Sequence, residues 1–131
     1  MDGLITNQSR FGPKETMDRL EANVRAQGMR VFARIDHAGL ALEAGLTLLP
    51  TELLIFGNPR AGTTLMQANQ TIGIDLPLKA LVWQDSEGNT WLTYDEPGWL
   101  ASRHRISVEN NRIVDTMALA FRVISKKSTE S

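Results

Sequence analysis

The chain has 131 residues, room for one domain, and its 42% hydrophobic and 22% charged content is that of an ordinary globular protein. Its 14 Lys and Arg against 15 Asp and Glu leave a formal charge of −1, which excludes a generally basic nucleic-acid or membrane binder. The absence of cysteine excludes disulfides, thiol nucleophiles and Cys-ligated metal centres, and no apolar run reaches the roughly 18 residues of a membrane span.

In chain order, Leu4 to Gln8 reads as a short strand. The opening residues lack the basic region and long apolar core of a signal peptide, so the expected compartment is the cytoplasm. Pro13 opens a helix over about 13–27, with Met17, Leu20 and Val24 at helical spacing and Gly28 as its stop. Met29 to His37 alternates as a strand. A short Ala- and Leu-rich helix follows over Ala38 to Ala44. Thr51 to Phe56 is a strand ended by Gly57-Asn58-Pro59, and Thr63 to Ile72 reads as a helix with Thr63 as its N-cap. Leu78 to Trp83 and Thr90 to Tyr94 are two strands joined by the turn chemistry of Asp85-Ser86-Glu87-Gly88-Asn89. One helical turn is expected at Pro97 to Ala101. An apolar stripe of Ile113, Val114, Met117, Ala120, Phe121 and Ile124 marks a helix over about 108–125.

This order gives an α+β fold, a mainly antiparallel sheet with two long helices and extra short ones. Residues 1–125 are expected as a single domain and residues 126–131 as a solvated tail. Leu53 and Ile55 oppose Leu54 and Phe56 across their strand, and Leu78, Ala80 and Val82 oppose Leu81 and Trp83. Strands apolar on both faces need helices on both sides, a ligand cavity or a second subunit.

Four segments occur in order: Ile35-Asp36-His37-Ala38, Pro50-Thr51-Glu52-Leu53-Leu54-Ile55-Phe56-Gly57-Asn58-Pro59, Gly62-Thr63-Thr64-Leu65-Met66 and Asp75-Leu76-Pro77-Leu78-Lys79. Together they resemble the domain-of-unknown-function 302 family of small bacterial and archaeal proteins, from about Thr6 to His104. The resemblance implies an antiparallel sheet in β-α-β4-α order and a homodimer. It implies no established activity.

The best local binding candidate is the segment from Gly57 to Thr64, where a strand runs into a helix N-terminus. Free backbone N–H groups there favour an anion, with Arg60 adding charge and Thr63 or Thr64 a hydroxyl. The plainer reading is a turn at Asn58-Pro59 and a cap at Thr63. His37 is either a site histidine near Asp36 or a hydrogen-bonded histidine at a strand end, while His104 is expected at the surface or an interface. Lys79 interrupts an apolar strand, either buried for a purpose or protecting a sheet edge. Trp83, Trp91 and Trp99, with Tyr94, suit packing or a dimer contact.

No ligand spacing for a metal, no GxSxG elbow and no P-loop ending is present, so neither metal nor cofactor is expected. The function expected is non-enzymatic binding of a small ligand, an anion being one candidate, by a homodimeric domain, through residues drawn from His37, Glu52, Asn58, Arg60, Thr63, Thr64 and Lys79. The alternatives are an enzyme using His37, Glu52 or Lys79, which a pocket gathering these residues would favour, and a purely structural or protein-interaction module, which a core without a cavity would favour. An apolar pocket near Asn58 and Thr64 would favour ligand binding.

Overall fold

The computed structural model of the protein describes residues 2–130. Its elements run β1 (Leu4–Ser9), α1 (Pro13–Ala26), β2 (Arg30–Asp36), α2 (His37–Glu43), β3 (Thr51–Gly57), α3 (Pro59–Ala68), a 3-10 helix (Gln70–Ile74), β4 (Leu78–Gln84), β5 (Thr90–Asp95), α4 (Pro97–Arg103), a 3-10 turn (Val108–Asn110) and α5 (Asn111–Thr129). The strands form one antiparallel sheet in the order β1-β5-β4-β3-β2. This is the α+β, β-α-β4-α arrangement with added short helices that the sequence implies.

Both long helices lie on one face of the sheet. Helix α1 starts on Pro13, carries Glu15 in its first turn and Arg25 in its last, and buries Met17, Leu20 and Val24. It ends before Gly28, whose φ of +77° is a left-handed conformation that glycine adopts at no steric cost. These side chains meet Leu54 and Phe56 of β3, Leu78, Ala80 and Val82 of β4, Leu92 and Tyr94 of β5, and Phe121 and Ile124 of α5 in the main core. Each fully buried side chain of this size contributes about 1.5–3 kcal/mol relative to exposure. Phe121 joins the layers, edge-on to Phe56 at 5.4 Å and stacked on Tyr94 at 4.2 Å. A second cluster, Leu65, Ile72 and Val114 with Met66, Leu76 and Met117 against it, packs α3 and the 3-10 helix onto α5.

The opposite face carries Ala33, Ile35, Leu53, Ile55, Leu81, Trp83 and Trp91, all half-buried. Trp83 and Trp91 stack at 6.2 Å, and the Trp83 indole donates to Thr93 at 2.9 Å. Neither long helix covers this face. Elsewhere on the surface, the segment from α2 into β3 exposes Leu40, Leu42, Leu46, Leu48 and Leu49.

The structure departs from the sequence reading at three helix ends. Helix α3 begins at Pro59 rather than Thr63, because the Asn58 side chain, not that of Thr63, accepts from the first backbone N–H groups. It stops at Ala68, where Asn69 turns to cap the following 3-10 helix by accepting from Thr71 N. Residues 126–129, expected in a solvated tail, continue α5 instead, and Ser128 and Thr129 are buried. Their small hydroxylated side chains fit against α1 and β1: Asn23 Nδ2 donates to Ser128 Oγ at 3.2 Å, and Arg10 N to the Thr129 carbonyl at 2.8 Å. Lys126 and Lys127 stay exposed, which is why the sequence alone reads as solvated; Ser131 lies outside the described residues.

Candidate functional site

The turn from β3 into α3 borders an apolar cavity of about 190 Å³. Asn58, Pro59, Gly62, Thr63 and Met66 line one side, with Leu76, Pro77 and Leu78 below and Met117 of α5 and Phe32 of β2 closing it. Phe32 reaches it because β2 is bulged between Val31 and Ala33, which re-aims the side chain. Asn58 Oδ1 accepts from Arg60 N at 3.0 Å and from Ala61 N at 3.4 Å, and the Asn58 carbonyl accepts from Gly62 N at 3.0 Å. Those are the N–H groups that an anion at this helix end needs. Asn58 thus caps the helix end where the sequence reading places Thr63. Arg60 does not line the cavity, and Thr64 Oγ1 donates back to the Arg60 carbonyl at 2.9 Å. What remains is an apolar chamber with the Asn58 amide N–H and the Thr63 hydroxyl at its wall.

The other residues singled out by sequence are not brought together. Asp36 ends β2 and caps α2, accepting from Gly39 N at 2.9 Å, and His37 is the first residue of that helix. Glu52 lies on the helix-covered face, where Arg34 donates to it through Nε at 2.7 Å and Nη2 at 3.0 Å. The same guanidinium donates to Asp18 at 3.0 Å and Glu21 at 3.3 Å, so one cation ties β2 and β3 to α1. Glu52 first, and then Asp18, hold Arg34 above the ordinary guanidinium range. Lys79 is on the opposite face, paired in register with Ile55. Because β4 is an inner strand, Lys79 does not protect a sheet edge.

His104, expected at the surface or an interface, is buried at 7% exposure within a polar network. Its Nε2 meets Asp75 Oδ2 at 2.5 Å and its Nδ1 meets Thr71 Oγ1 at 2.9 Å. Arg103 donates to both Asp75 oxygens at 3.1 and 3.0 Å, and Asn69 Nδ2 donates to the His104 carbonyl at 2.6 Å. A carboxylate only accepts, so Nε2 carries the hydrogen. A Thr–His–Asp chain can relay a proton in principle, but Thr71 Oγ1 also bonds Asn69 Oδ1 at 3.0 Å, and none of the three lines the cavity above. The network pins the 3-10 helix to the end of α4. Sequence reasoning missed it because the partners stand about 30 residues apart, and the flanking Arg103 and Arg105 make His104 look solvated.

Among the described residues no helix is long and apolar enough to cross a membrane. Residues 5–124 match the family described as "Domain of unknown function DUF302". The crystal structure of an uncharacterized conserved DUF302 protein from Bacillus stearothermophilus superposes with a TM-score of 0.86, covering 98% of this chain and 99% of that one at 22% identity. That likeness shows the fold. Two relatives, each named fluoride-specific ion channel FluC 1, from Brucella suis and Brucella abortus, are 47% identical over 124 residues. The match takes in 95% of this chain but only 49% and 46% of those proteins, so the chain spans about half the length of the curated relatives it matches.

Proposed function

The chain belongs to the DUF302 family, and on that premise we propose that it is a non-enzymatic module binding a small ligand with an apolar body in the cavity at the β3–α3 turn. The observation that carries this reading is the cavity itself, about 190 Å³ of space walled by Met66, Met117, Leu76 and Leu78 with two polar groups at its edge. Apolar chambers of roughly this size, about 150 Å³ and up, take up small aromatic molecules. The enzyme alternative lacks its constellation, since His37, Glu52 and Lys79 lie on different faces and Glu52 is committed to Arg34.

Gly62 supplies the test. It sits inside α3 and lines the cavity, and a Cβ added there meets only Leu76 Cδ1, at an ordinary 3.8 Å. Gly62→Leu therefore fills the chamber without a backbone clash, and leaving glycine in a helix interior recovers up to about 1 kcal/mol. Titration of benzyl alcohol into the wild type, followed through the Met66 and Met117 methyl resonances, should saturate. In Gly62→Leu the response should vanish while the melting temperature holds or rises. Equal responses in both proteins would refute the cavity as the site.

The apolar outer face of the sheet, continuous in sequence with the exposed leucines of the α2–β3 segment, supports the further proposal that two copies pair through it. Light scattering should give twice the chain mass at micromolar concentration, and Leu53→Glu should halve it.

A further inference from the structure

We propose that a second cleft, between β1, β5 and the last turns of α5, binds a small oxyanion, a carboxylate or a phosphate group. The cleft has a volume of about 450 Å³ and lies at the β1 edge of the sheet, apart from the cavity at the β3–α3 turn.

Four hydrogen-bond donors converge on it without spending themselves on the protein. Tyr94 is only 3% exposed, its ring flat against Phe121, yet its hydroxyl has no partner among the described residues. No unpartnered polar side-chain atom in them is sealed from solvent, so the hydroxyl opens into the cleft that Tyr94 lines. Phenylalanine would serve the core packing equally well; the hydroxyl adds only a donor aimed outward. Ser125, 2% exposed, accepts from Asn7 Nδ2 at 2.8 Å, which leaves its own hydrogen to give. Arg122 and Lys126 stand one helical turn apart on the same wall, and neither is in an ion pair among the described residues.

Against these donors the lining sets one carboxylate, Glu130, and the side-chain carbonyls of Asn7 and Gln8, so the charged groups that line the cleft, Arg122, Lys126 and Glu130, sum to +1; Glu96 lies outside the lining, its carboxylate accepting from Gly98 N and Trp99 N. Burial raises the Tyr94 phenol above its ordinary range, with Glu96 acting the same way and Arg122 opposing, which keeps it protonated and able to donate near neutral pH. A ligand that only accepts, and carries negative charge, is the complement of such a wall.

Tyr94 is the chain's only tyrosine, so its Cζ resonance reports on the cleft directly. The full chain at low ionic strength should be titrated with inorganic phosphate and, separately, with acetate. A saturable Tyr94 shift with either anion, weakened by added salt, is the expected result. Tyr94→Phe and Arg122→Gln should each weaken binding by about tenfold, the scale of one hydrogen bond to a charged group, with unfolding curves unchanged. Gly62→Leu should bind the anion as the wild type does, which separates this site from the apolar cavity. If Tyr94→Phe fails to fold, Arg122→Gln and Lys126→Gln on the exposed helix surface carry the test. An absent or non-saturating response to both anions, or wild-type affinity in Arg122→Gln and Lys126→Gln, would overturn the proposal.

Discussion

Replacing Asn58 with alanine isolates what holds the β3–α3 turn. The substitution removes the Oδ1 bonds to Arg60 N at 3.0 Å and Ala61 N at 3.4 Å, and leaves the backbone bond from Gly62 N to the Asn58 carbonyl in place. The longer contact is at the edge of hydrogen-bond geometry, so the loss amounts to one good cap bond. Asn58 is extended, with φ −105° and ψ 110°, a conformation alanine adopts without strain, so no backbone term adds to it. The expected cost is about 1 kcal/mol, within the range for N-cap truncation, or roughly 3–5 °C in melting temperature for a domain of this size. Thr63→Ala should change stability by less than about 0.5 kcal/mol, since Thr63 is exposed within the helix and caps nothing. Asn58→Asp should restore the cap and gain slightly from the helix dipole. Urea unfolding followed by tryptophan fluorescence measures all three. The reverse ranking, with Thr63→Ala the more costly, would refute the capping assignment.

Three further outcomes are expected. His104→Phe keeps the ring volume but strips partners from Thr71 and Asp75, and should cost roughly 2–4 kcal/mol in thermal unfolding; a loss under about 0.5 kcal/mol would mean the network is idle. Arg34→Met should cost about 1 kcal/mol at neutral pH. That difference should shrink as pH falls through the carboxylate range, because Asp18, lowered first by Lys14 and then by Arg34, and Glu21, lowered first by Arg25, add stability only while ionised. Asp85 is held below its ordinary range first by the Trp91 indole N–H, so the Trp91 Nε1 proton resonance should stay constant down to the usual aspartate pKa and shift only below it. A shift centred above that value would contradict the hydrogen bond.

The sheet was legible because its signal is local. Leu54 and Phe56, alternating with Leu53 and Ile55, assign the two faces of β3 without knowledge of any partner, and the structure keeps that division. The turn at Asp85 to Asn89 was equally readable, since Asp85 Oδ1 accepts from Glu87 N and Asn89 N inside the turn itself. Helix α3 was misplaced because Asn58-Pro59 is compatible both with a turn and with an N-cap followed by proline at the first helical position, and only tertiary packing chooses. Of the candidate site, Asn58 and Thr63 do face a cavity. The chamber's other walls, Phe32 and Met117, come from distant elements that no local pattern connects to the turn.

The pairing of β1 with β5 has a consequence for how the chain can assemble. Thr6 faces Thr93, 87 residues away, so β1 has no strand to join until Thr90–Asp95 has been made. Closing so long a loop carries an entropic cost that must be met before the contacts return anything, and such distant pairings slow folding. On a ribosome, residues 4–9 would wait through the synthesis of every other strand, and Phe121 and Ile124 would arrive later still to seal the layer beneath. Nascent chains halted before Thr90 should therefore remain open to protease at β1 even when α1, β2, β3 and β4 are complete. Moving residues 4–9 to follow Asp95 would turn that distant edge into a hairpin and should speed folding of the same sheet.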